Sequence, residues 1–203
     1  YLQGANQWLD YEAWPLPAQE TPFHLQAMGQ MAPAEPPAGS TPDQYRYDPA
    51  DPTPNLGGAL LSIEAGRVDN RPLEARPDVL TYTTEPLTEP LTVIGHVRLR
   101  LYVRSSLEFT DFYGRLCDVE VDGRSLNVCD GLCRLQPGRG EPQPDGSLLV
   151  EVDMTATAYQ FFPGHRLRLQ VSSGAHPRIS RNLGTGDPVM HGTAMRPAHQ
   201  TIY

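Results

Sequence analysis

The serine best placed for a nucleophilic role stands in Gly123-Arg124-Ser125-Leu126-Asn127. A strained strand-to-helix elbow needs Gly-x-Ser-x-Gly, because small residues on both sides let the hydroxyl stand clear of the backbone. The second glycine is missing here, and Asp122-Gly123 is a two-residue hairpin signal, so Ser125 reads as a strand serine. Asp118, Glu120 and Asp122 alternate along the same stretch, and paired carboxylates can divide the acid and base roles of glycoside cleavage. That division requires one carboxyl held in an apolar pocket. Alternation beside a hairpin predicts a solvated face instead, and no calcium loop of the EF-hand kind surrounds these residues.

Six histidines and the cysteines Cys117, Cys129 and Cys133 raise the question of a metal. Cys129-Asp130-Gly131-Leu132-Cys133 is a lone pair with three residues between, and His191 and His199 do not complete the tight second pair that structural zinc sites use. The three cysteines, an odd number, do not form a disulfide framework. They read as small buried hydrophobes, and His96 and His165 as strand residues. No catalytic residue, metal or cofactor is therefore assigned. The densest polar stretch is Ser172-Ser173-Gly174-Ala175-His176-Pro177-Arg178, followed by Arg181-Asn182. A guanidinium fork offers several donors at once, so Arg178 and Arg181 are candidates to clamp a neighbouring domain, against the plainer reading of a loop tied by its own hydrogen bonds.

These groups have to be carried by strands and turns. Val97, Leu99, Leu101 and Val103 alternate with arginines and a tyrosine, the pattern of a half-buried strand. A second strand, Phe109 to Val121, turns at Asp122-Gly123 and returns through Leu126 and Val128. A third pair runs from Leu148 to Met154 and from His165 to Val171, with Gly164 after Pro163 supplying the turn before the return strand. Gln200 to Tyr203 offers a last strand. Short strands spaced by turns, with no helical pattern of 10–15 residues between them, predict an all-β sandwich or jelly roll.

The first 55 residues differ. Tyr1 to about His24 carries Trp8 and Trp14, two large rings that need a cover, beside the restricting prolines Pro15 and Pro17. Ala32 to Asn55 is dense in proline and poor in branched apolar residues, so it is expected to run extended over a surface without a ladder of its own, pinned by Tyr45 and Tyr47. The expected organisation is thus a lead-in and proline-rich, mostly irregular arm over 1–55, and a sandwich over 56–203.

At 203 residues and 39% apolar, the chain can bury a sizeable core. A net charge of −8 excludes nucleic acid as an expected partner, since phosphate backbones are bound by clustered cations. All 16 cations are arginines, read as a bias of composition. No stretch approaches the roughly 20 apolar residues of a membrane helix. Tyr1-Leu2-Gln3-Gly4 lacks an initiator methionine and a signal-peptide layout, so the chain is read as a fragment of a longer protein. Self-association into a homo-oligomer is left open, as is the compartment, with the cytoplasm favoured.

An ordered series of short segments carries a resemblance. Asp78-Val79-Leu80-Thr81-Tyr82-Thr83-Thr84-Glu85-Pro86-Leu87 is followed by Gly95-His96-Val97-Arg98-Leu99-Arg100-Leu101 and Thr110-Asp111-Phe112. Then come the Asp122-Gly123-Arg124 hairpin, Asp130-Gly131 and Phe162-Pro163-Gly164-His165-Arg166-Leu167-Arg168-Leu169. Ser172-Ser173, Pro177-Arg178, Arg181-Asn182 and Gln200-Thr201-Ile202-Tyr203 complete the series, with Gly4-Ala5-Asn6-Gln7-Trp8 and Trp14-Pro15 as the lead-in. The series resembles the C-terminal domain of the X-Pro dipeptidyl-peptidase and cocaine-esterase family over nearly the whole chain. The resemblance implies a galactose-binding-like jelly roll packed against an upstream α/β-hydrolase domain that holds the Ser, Asp and His. It implies no catalytic machinery in this chain, and a supporting role in a dipeptidyl-peptidase, ester hydrolase or acylase. Trp8, Trp14, Arg178 and Arg181 are the expected interdomain contacts. A carbohydrate- or ligand-binding sandwich is the alternative, resting on fold analogy alone.

Overall fold

The computed structural model describes residues 1–14 and 16–203; Pro15, read above as restricting the lead-in, lies outside the described residues. Two sheets face each other. The first has six strands in the order β1 (His24–Gln26), β2 (Gln30–Ala32), β4 (Leu80–Thr83), β10 (Arg166–Ser172), β6 (Thr110–Val119) and β7 (Ser125–Leu135). The second has five, in the order β3 (Asp43–Tyr47), β11 (Ala198–Ile202), β5 (Leu91–Ser105), β9 (Leu148–Phe161) and β8 (Glu141–Pro142). Helix among the described residues is confined to α1 (Arg71–Glu74) and a 3-10 turn at Ala27–Gly29. This is the all-β sandwich expected from the strand pattern, and among the described residues no helix is long and apolar enough to cross a membrane.

Side-chain alternation builds the core between the sheets. Along β5, Leu99, Leu101 and Val103 are buried while Arg98, Arg100 and Arg104 are exposed. On β9 the buried set is Val150, Val152 and Met154, then Thr157, Tyr159 and Phe161, so the parity changes midway. A bulge causes the change: His96 pairs with Ala156 but Arg98 with Asp153, which places Met154 and Thr155 opposite Val97 alone. Thr155 takes a φ of 70°, a left-handed conformation costly for a branched residue. A single extra residue swaps the two faces of everything beyond it, and here it brings Tyr159 and Phe161 into the core.

The sheets approach each other closely beside that bulge. Gly114 on β6 and Gly131 on β7 are paired in register, and neither side chain could be larger. A Cβ on Gly131 would land on the Asp153 carbonyl oxygen of β9, and one on Gly114 would meet Leu99 Cδ2 at 2.6 Å and Met154 Sδ at 2.9 Å.

The proline-rich stretch departs from expectation. Ala32 to Asn55 was expected to lack a ladder, yet Asp43–Tyr47 pairs along its length with β11 as an edge strand, burying Tyr45 and Tyr47. Proline is excluded from ladder interiors, and Pro42 and Pro49 flank a five-residue window whose two tyrosines alternate. Seat and length both suit an edge, where one side of the backbone needs no partner. The Asp122-Gly123 hairpin forms as expected between β6 and β7.

Candidate functional site

Ser125 and the cysteines, the nucleophiles the sequence offers, are buried within the fold. Ser125 is buried, and its hydroxyl donates to Glu74 Oε1 at 2.5 Å, with no histidine among its partners. Glu74, on α1, also accepts from Arg168 Nη1 at 2.6 Å and Gln170 Nε2 at 2.8 Å. The three cysteines are free and buried. Burial pushes the thiols of Cys117 and Cys129 up to about 12, far from the thiolate that a nucleophile or metal ligand requires. Among the described residues no three His, Cys, Asp or Glu side chains gather as metal ligands.

Asp118 corrects the reading of Asp118, Glu120 and Asp122 as one solvated face. Its carboxylate is buried and accepts from the Tyr159 hydroxyl at 2.7 Å, with His165 Nδ1 at 2.8 Å on its other oxygen. The Arg67 guanidinium lies 5.1 Å from the Tyr159 ring centroid and 3.8 Å from the same carboxylate. Only Glu120 and Asp122 reach the hairpin surface, where both pair with Arg124. Asp118 closes the end of the core, and the bulge that carries Tyr159 inward supplies its donor.

The outer face of the six-stranded sheet is a buried polar layer. Every residue of β6 is buried, although it includes Asp111, Arg115 and Asp118. Arg115 Nη1 donates to the Leu56 carbonyl at 2.5 Å and to Asn70 Oδ1 at 2.8 Å. Its Nη2 donates to Asn55 Oδ1 at 3.1 Å and Asp130 Oδ2 at 3.0 Å. Asp130 is gripped from the other side by Arg178, at 2.8 Å and 2.7 Å. Burial alone would raise the Asp130 carboxyl; the Arg178 hydrogen bond and the charges of Arg115 and Arg178 outweigh it and hold the group below the ordinary carboxylate range. Asn127 completes the grip, accepting from Val68 N at 2.9 Å and donating to the Gly66 carbonyl at 3.0 Å. The layer therefore fastens residues 55–70 onto β6 and β7.

Arg178 and Arg181 thus turn inward. Arg178 holds Asp130, and Arg181 Nη1 donates to the Pro49 carbonyl at 3.0 Å. Both arginines thus tie their loop to other parts of the same chain, β7 and residue 49. Arg134 does similar work, gripping Asp111 and donating to the Ser180 carbonyl at 2.6 Å.

Trp8 and Trp14 stand outward, 80% and 59% exposed. The lead-in that carries them is laced to β9, with Gln3 N donating to the Ala158 carbonyl at 2.8 Å and Gln160 N to the Gln3 carbonyl at 2.9 Å. Tyr1 packs against Trp8 with ring centroids 5.2 Å apart. Between the lead-in and the fastened segment lies a cleft of about 370 Å³, lined among others by Gln3, Trp14, Ala59, Asp130, Thr155 and Arg178. Beyond it the chain makes a loop closed at its base by two hydrogen bonds between Gly58 and Gly66, with Leu61 and Ile63 fully exposed near its tip. Sequence reading missed this loop and its mount, although Leu60, Leu61 and Ile63 between Gly57-Gly58 and Gly66 were a signal of a hairpin-like turn. The partners of Arg115 lie 15 to 60 residues away along the chain, and no local pattern reveals them.

One surface, made of the lead-in, the 58–66 loop and the bulged part of β9, therefore concentrates exposed aromatic and aliphatic groups without nucleophile or metal. Several proteins similar to it in sequence or shape are much longer. The chain is 42% identical over 204 residues to cocaine esterase of Rhodococcus sp. (strain MB1 Bresler), an alignment covering 92% of this chain and 35% of the esterase. It superposes on an alpha-amino acid ester hydrolase with a TM-score of 0.86 and 28% identity, covering 100% of this chain and 38% of that one. An aminopeptidase from a marine sediment archaeon, Thaumarchaeota archaeon, gives the same TM-score and identity, with 37% of its chain covered. The chain spans about a third of the length of these relatives. Residues 1–203 match the X-Pro dipeptidyl-peptidase C-terminal non-catalytic domain in full, and the chain belongs to that family.

Proposed function

We propose that this chain supports the catalytic domain of a larger serine hydrolase of the ester hydrolase, dipeptidyl-peptidase or acylase class, as a C-terminal accessory domain docked on an α/β-hydrolase domain of the same polypeptide. The observation that carries the reading is the match, end to end, to a non-catalytic domain that makes up about a third of hydrolytic relatives. The arrangement of side chains supports it: Ser125, Asp118 and the three cysteines are buried, whereas the exposed groups of the lead-in are of the kind that interfaces bury, tryptophan above all.

The contribution to catalysis is indirect. A rigid sandwich fixes the parts of its neighbour that rest on it, and catalytic constellations lose activity when their supports shift by an ångström or less. Trp8 and Trp14, on the lead-in, are the contacts assigned to the catalytic domain. In the full-length polypeptide, deleting residues 1–203 of this chain should lower kcat for an activated ester and lower the melting temperature of what remains. Unchanged kcat together with unchanged melting would overturn the reading.

A further inference from the structure

Two buried polar atoms of the outer layer meet no partner among the protein's own atoms, and they belong to paired residues. Arg115 is buried, and its Nη1 and Nη2 donate to Leu56, Asn70, Asn55 and Asp130, but its Nε–H has no acceptor. Gln170 on β10 is also buried, and its Oε1 accepts from no donor. The two residues stand directly opposite each other across the ladder between β6 and β10, so their side chains leave the same face of the sheet as neighbours. One lacks an acceptor and the other a donor.

The orientation of the Gln170 amide is fixed by its other bond. Its Nε2 donates to Glu74 Oε1 at 2.8 Å, and a carboxylate only accepts, so turning the amide over would set oxygen against oxygen. Oε1 is therefore the end turned away from Glu74. Arg115 is held as firmly, with Asp130 of β7 on one flank and Gln170 of β10 on the other. A buried donor or acceptor left without a partner costs as much as a lost hydrogen bond, and native interiors satisfy nearly all of them. The chemistry of the pair selects what can satisfy it. An anion would suit the Nε–H but not the amide oxygen, and a cation would suit the oxygen but not the guanidinium. A small neutral molecule that accepts and donates through one atom suits both.

We propose that a single water molecule is bound between Arg115 Nε and Gln170 Oε1 as a fixed member of the polar layer, accepting from the guanidinium and donating to the amide. Its effect is connection. On the Gln170 side the bonds run through Glu74 to Arg168 and Ser125, and on the Arg115 side through Asp130 to Arg178. The water joins these clusters across the β6–β10 ladder, so that α1 and residues 55–70 are fastened to the sheet by one bonded system.

The first test is a high-resolution crystal structure of the full-length polypeptide. It should show one isolated water about 2.7–3.2 Å from both atoms. Finding Nε or Oε1 bonded to a protein atom instead, or no water between them, would overturn the proposal. The second test counts long-lived internal waters of the same polypeptide in solution by magnetic relaxation dispersion. Gln170→Met, which keeps the length of the side chain and removes both of its polar ends, should hold one long-lived water fewer than the wild type. Ser125→Ala takes a bond from Glu74 but leaves Arg115 and Gln170 intact, so it should keep the wild-type number. An unchanged count in Gln170→Met, or the same loss in both variants, would sink the bridge. Should Gln170→Met fail to fold, the crystal structure decides alone.

Discussion

The two faces of the six-stranded sheet are both buried, and they are buried by different physics. On the inner face Phe112 and Leu116 meet Leu101, Val152 and their neighbours across the sandwich, an apolar contact that is non-directional and tolerant of small adjustments. On the outer face of the same strand, Asp111, Arg115 and their partners are covered by loops through hydrogen bonds with fixed donors and acceptors. Apolar packing is suited to bringing sheets together, and a bonded polar layer to deciding where a loop lies. A buried ion pair adds little net stability, because desolvation consumes most of the attraction; what it does is penalise every arrangement in which a partner is missing. The inner face thus sets whether the domain folds, and the outer face sets the course of residues 55–70.

The comparison can be broken most sharply at Asp130. Asp130→Ala leaves the fully buried Arg115 and the mostly buried Arg178 without their carboxylate, and should cost about 3–5 kcal/mol in urea unfolding, toward the upper end because two guanidiniums are stranded. Hydrogen exchange should rise first across 55–70, ahead of the inner strands. Phe112→Ala, on the opposite face of the same strand, should cost about 3–4 kcal/mol by leaving a cavity. Its exchange should instead rise throughout β5, β6 and β9 together; a loss confined to the loop would sink the distinction.

The smallest effect is the dependence on pH. Asp130 binds its proton less readily when folded than when unfolded, where its value is about 3.9. Its contribution is present above that value and is lost as the pH falls through the lower, folded one. Urea midpoints of the wild type should therefore fall below about pH 4 more steeply than those of Asp130→Asn, by at most one proton, or about 1.4 kcal/mol per pH unit. Parallel curves would show that the carboxylate makes no charge-dependent contribution.

The inner face was legible in the sequence because its signal is local. Alternation through Leu99, Leu101 and Val103 named the buried side, and Asp122-Gly123 named the turn. The edge strand at Asp43–Tyr47 was hidden by composition, since proline on both sides masked a five-residue alternation whose partner comes 155 residues later, at Ala198 to Ile202. The outer face was illegible for a related reason. Arg178 was noticed as a donor seeking a partner, and it has one, but the partner was Asp130 inside the chain. A charged side chain in a strand reads as exposed until its distant partners are known, as the reading of Asp118 on a solvated face shows. Trp8 and Trp14, read from the sequence as rings in need of a cover, stand largely exposed.

The facing glycines have a mechanical meaning. With Gly114 and Gly131 side by side, the carbonyl of Asp153 sits in a notch of the opposite sheet, directly beside the bulge. Sliding one sheet along the other would drive that oxygen into backbone, so the sandwich resists shear at this point in the way a key resists turning in a slot. The lead-in is tied to β9 a few residues further on, at Ala158 and Gln160. A pull on the lead-in therefore bears on β9 and, through the notch, on β6 and β7.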